Sequence, residues 1–83
     1  MNAYIDISQF WLKPEAGQKP VTVHYVWEKW GKDLGLTRNT IAAAYRGELD
    51  RARVLNQVKL RSLCSLMAGR SVSLDEIVVE RES

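Results

Sequence analysis

Two residues, Gly35 and Leu36, separate a pair of helical runs, and nothing else in the chain constrains its fold as tightly. From Thr22 onward, Val23, Val26, Trp27, Trp30 and Leu34 recur at steps of three and four, which builds one apolar helix face. Glu28, Lys29, Lys32 and Asp33 take the opposite face. Thr22 stands where an N-cap is needed and Gly35 where a left-handed residue ends the helix. Thr37 is a second N-cap, opening the run Arg38–Arg46 that stops at Gly47. Helices joined by so short a glycine-containing turn cannot lie antiparallel. They cross steeply, as in a helix-turn-helix.

The remainder predicts a small helical domain around that unit. At 83 residues, with 46% hydrophobic and 27% charged side chains, the chain has the size and balance of one globular domain. Tyr4-Ile5-Asp6-Ile7 alternates like a short strand, yet Asp6 could equally cap a helix carrying Ile7, Phe10 and Trp11. Lys13 to Pro20 holds both prolines and Gly17 and predicts a loop, as does the polar stretch Glu48 to Arg53. Asn56 is placed to cap a helix with an apolar stripe of Leu60, Leu63, Cys64 and Met67, closing near Gly69; a longer helix from Asp50 fits the same pattern. Ser73 and Glu76 form a capping-box pair for a short last helix, which Val78 and Val79 either end or follow as a strand opposite Tyr4–Ile7. The expected class is all-α: a compact four- to five-helix bundle, with a short N-/C-terminal β-ribbon left open. Its expected division is an N-terminal segment over 1–21 (first helix or strand, then the Pro/Gly loop), the helix-turn-helix domain over 22–79, and an acidic tail over 80–83.

Several functions are set aside by what the chain lacks. No run reaches the roughly 18 apolar residues of a membrane span, and the opening MNAYIDISQFW has no basic segment ahead of an apolar one. A cytoplasmic protein with no membrane partner is expected. The single Cys64 closes no intramolecular disulfide, and with the single His24 it falls short of a four-ligand zinc site. Cys64 reads as a small core hydrophobe and His24 as a surface or packing residue with no obvious partner. No nucleophile–base pair, carboxylate pair or Gly-rich phosphate loop stands out, so no enzyme, metal or cofactor is expected.

Net charge is only +2, but it is unevenly spread. Between Lys29 and Arg70 nine basic residues face three acidic ones, whereas from Asp75 onward four acidic residues face Arg81 alone. A basic middle suits a polyanion. On the Arg38–Arg46 wheel, Ile41, Ala44 and Tyr45 cluster on one side and Asn39, Ala43 and Arg46 on the other, flanked by Arg38 and Ala42. The outward side therefore combines small alanines, which let a helix sit deep in a groove, with the residue types that read base edges. Arginine pairs with guanine and asparagine with adenine through two hydrogen bonds, and alanine methyls contact the thymine methyl.

The segment from Trp30 to Gly47, WGKDLGLTRNTIAAAYRG, resembles the helix-turn-helix core of the Cro/repressor-type (XRE-type) DNA-binding family. Leu60–Met67 is similar to that family's fourth helix and Ser73–Ile77 to its fifth. The resemblance implies base reading by Arg38, Asn39, Ala42 and Ala43, and phosphate contact by Arg46. Thr37 and Thr40, beside the helix N-terminus that favours phosphate, and the basic Lys29, Lys32, Arg51 and Arg53 complete the expected phosphate set. Gly31 matches the small residue that lets the two helices approach. Two departures stand out: Trp27 replaces the glutamine with which the family often opens its second helix, and a Pro/Gly loop intervenes after the first. The implied partner is double-stranded DNA, bound by a homodimer with half-sites about one helical turn apart. Leu66, Val78 and Val79 are the candidate dimer residues. Two alternatives are an antitoxin-type autorepressor whose tail, Val78 to Ser83, holds a toxin, and a helix-turn-helix protein-interaction module without DNA binding.

Overall fold

The computed structural model describes residues 2–50 and 54–81. Strand β1 (Asn2–Ile5) lies at the centre of a three-stranded antiparallel sheet, between β2 (Leu49–Asp50) and β3 (Val78–Arg81). Tyr4 faces Asp50 on one side and Val79 on the other; Ile5 faces Leu49 and Val78. The helices are α1 (Val23–Val26), continued directly by a π-helical turn (Trp27–Gly31), then α2 (Arg38–Tyr45) and α3 (Val54–Ala68). Single 3-10 turns occupy Ser8–Phe10 and Leu74–Glu76.

The expected all-α bundle of four to five helices is thus overturned. The molecule has three helices and a three-stranded sheet among its described residues. Alternation prevails over helical spacing at residues 2–5, and Phe10 closes a single 3-10 turn rather than the middle of a first helix. Leu49–Asp50, expected as loop, is a strand. Two residues carry no periodicity of their own; only the neighbouring strand makes them one. Asp50 therefore does not start a helix, and α3 is already formed at Val54, ahead of the expected cap at Asn56. The Ser73–Glu76 capping box is present, but it opens one 3-10 turn and then β3.

One core joins sheet and helices. Ile5 and Ile7 enter it from the N-terminal segment, Val26, Leu36, Ile41 and Ala44 from the helix-turn-helix, and Leu60, Leu63 and Cys64 from α3. Each large side chain removed from water contributes about 1.5–3 kcal/mol. Backbone bonds lock the layers together. The Asp6 amide donates to the Ile77 carbonyl at 2.8 Å, and the Ile7 amide to the Ala44 carbonyl at 3.0 Å. The second bond joins the Gly47 amide on a carbonyl at the C-terminal end of α2, where helices leave acceptors open. Cys64 sits in this core with its thiol pushed up to about 12, chiefly by burial. On the outside of α3, Val54, Leu55, Val58 and Leu66 remain exposed.

Candidate nucleic-acid interface

The geometry begins at Gly35. Thr22 caps α1 by accepting from the Tyr25 amide at 3.1 Å, and the helix closes through a pair of bonds around Gly35. The Gly35 amide donates to Lys32 and the Leu36 amide to Gly31, a Schellman arrangement with Gly35 at φ +76°. Thr37 then caps α2, its hydroxyl accepting from the Thr40 amide at 3.1 Å and donating to the Thr40 hydroxyl at 2.9 Å. The turn is tied from the side by Trp27, whose indole Nε1 donates to the Leu36 carbonyl at 2.9 Å. Gly31 makes the helix crossing possible: a Cβ there would lie 2.6 Å from Ile41 Cδ1.

This arrangement exposes one side of α2. Arg38 and Asn39 stand exposed in its first turn, Ala42 and Ala43 are half-buried behind them, and Ile41 and Ala44 are buried. The alanine side is therefore only partly bare. Tyr45, expected inward, is 40% exposed and packs against Trp11 with ring centroids 4.4 Å apart and planes tilted by 51°. The N-terminal segment reaches α2 here, which draws the ring outward onto Trp11 rather than into the core.

The phosphate candidates among the described residues are already engaged within the chain. Arg46 Nε holds Glu48 at 2.9 Å, Lys32 holds Glu28 at 3.2 Å, and Lys29 lies 4.8 Å from the centre of the Trp30 ring. Exposed ion pairs of this kind contribute at most about 1 kcal/mol, so a phosphate can displace the carboxylate. The Thr37 hydroxyl is spent on the Thr40 amide and hydroxyl, and the Thr40 hydroxyl accepts from it. Arg51 and Arg53 lie outside the described residues. Among the described residues no group of three or more His, Cys, Asp or Glu side chains could hold a metal ion, and no helix is long and apolar enough to cross a membrane.

Comparison with family models, curated proteins and solved structures gives no match.

Sequence reasoning missed one part of the site. His24 does have partners: Nδ1 lies 3.4 Å from Arg38 Nη1, and Nε2 lies 3.8 Å from a Glu28 carboxylate oxygen. The Arg38 guanidinium carbon sits 5.2 Å from the centre of the Trp27 ring. A row Lys32–Glu28–His24–Arg38 thereby crosses from α1 to the start of α2. The spacing of four between His24 and Glu28 was the available signal, since residues so spaced neighbour each other on a helix. The step to Arg38 joins two helices and has no such local signature.

Proposed function

We propose that this chain is a sequence-specific double-stranded DNA-binding transcriptional regulator of the Cro/repressor type, reading the major groove with α2. The observation that supports this most is the exposure of Arg38 and Asn39 in the first turn of a Thr37-capped helix, with small residues behind them. Arginine and asparagine are the side chains whose paired hydrogen bonds distinguish guanine and adenine, each worth about 1–3 kcal/mol. The positive end of α2 and the exchangeable Lys32 and Arg46 supply phosphate contacts. A single unit of this kind spans a few base pairs, so a two-fold pair on adjacent half-sites is part of the proposal. Of the three dimer candidates, Leu66 is exposed while Val78 and Val79 are half-buried.

Selection of bound sequences from a random duplex pool tests this reading. The expected result is an enriched site, bound with an affinity that falls steeply as salt rises. Arg38→Ala and Asn39→Ala should each flatten the preference at one position of that site. A pool that enriches nothing, or a site bound unchanged by both variants, overturns the reading.

A further inference from the structure

We infer that His24 and Trp27 are positioning residues for Arg38, presetting its guanidinium as a guanine reader. The inference rests on the DNA-binding reading and goes beyond it by naming the base and the groups that hold its reader. An arginine side chain on a helix surface ordinarily samples many rotamers, and ordering it on binding costs affinity. Here the guanidinium is held on two sides. Its face lies over the Trp27 ring at 5.2 Å, a cation–π and stacking contact. One of its five N–H donors is directed at His24 Nδ1 at 3.4 Å. The remaining donors stay available to take the two acceptors on a guanine edge.

Trp27 is itself fixed, because its indole N–H is bonded to the Leu36 carbonyl in the turn. His24 is fixed less firmly, by Glu28 at 3.8 Å on the same helix, and its side chain is exposed. Nδ1 accepts from Arg38 in the tautomer that carries the ring proton on Nε2, the nitrogen that faces Glu28. Glu28, on the π-helical turn, and Arg38 on α2 face the ring, with Lys32 behind Glu28. Loss of the Nδ1 acceptor releases the guanidinium from its preset orientation. The consequence appears in base discrimination rather than in total affinity.

The test compares two duplexes that differ only at the guanine assigned to Arg38 in the selected site. The ratio of their affinities cancels the general attraction to the phosphate backbone. His24→Phe, which keeps a ring and loses the acceptor, should lower that ratio about three- to tenfold, the worth of one net hydrogen bond. His24→Asn, whose amide oxygen takes the place of Nδ1, should keep the high ratio. Trp27→Leu should lower the ratio, with its melting temperature recorded because Trp27 also braces the turn. An unchanged ratio in both His24→Phe and Trp27→Leu overturns the inference and leaves the DNA-binding reading standing. Absence of any selective duplex binding by the wild type overturns both.

Discussion

Ile41 and Gly31 set the helix crossing on which the site depends. Ile41→Ala removes a fully buried side chain and should destabilise the protein by about 2–5 kcal/mol in chemical denaturation. Gly31→Ala acts from the other side: the added methyl meets Ile41 Cδ1 inside a packed core, where overpacking costs about 1–3 kcal/mol. Better helix propensity returns at most about 1 kcal/mol, so the net effect is a lower melting temperature. Arg38→Ala and Asn39→Ala should leave the melting temperature nearly unchanged, because both side chains are exposed. Arg46→Ala belongs to a third class. It should weaken binding to all duplexes alike and reduce the salt dependence by about one phosphate contact, read as the slope of log affinity against log salt.

Between elements, the clasp that closes α3 onto the last turn carries a pH signature. Arg70 holds Glu76 through two guanidinium nitrogens at 2.9 and 3.3 Å, and Glu76 also accepts from the Ser73 amide at 2.8 Å. Arg70, then Ser73, lower the Glu76 carboxyl from 4.5 to about 2. A depressed folded value means stability that is complete above about pH 4.5 and lost as pH falls towards 2. Glu76→Gln should therefore flatten the acid limb of melting temperature against pH over that window, with little change at neutral pH beyond the loss of the ion pair. The elements themselves were legible in proportion to how local their causes are. Thr22, Gly35, Thr37 and Gly47 act within a turn of the residues they cap or terminate, and the helices from Val23 and Arg38 could be read from them. The ribbon of β1 and β3 was legible as one of two readings, whereas β2 was not, because Leu49–Asp50 becomes a strand only by meeting residues about 45 positions earlier. The contact of His24 with Arg38 was hidden for the same reason: a helix wheel places each side chain on its own helix and not against a neighbouring one.

At the scale of the molecule, Cys64 is an internal gauge of opening. Its thiol is buried and held far from the thiolate form, so a thiol reagent should modify it only as fast as the core opens. Adding a bound duplex should slow that reaction if it binds the folded form alone. The sheet has a different consequence. Asn2 is paired with Arg81, so the two extremes of the described chain already lie side by side, on strands separate from the helix proposed to read bases. Covalent cyclisation through a few flexible residues should therefore close the ring without strain, cut the entropy of the unfolded chain and raise the midpoint of thermal melting, with the selected duplex bound as before.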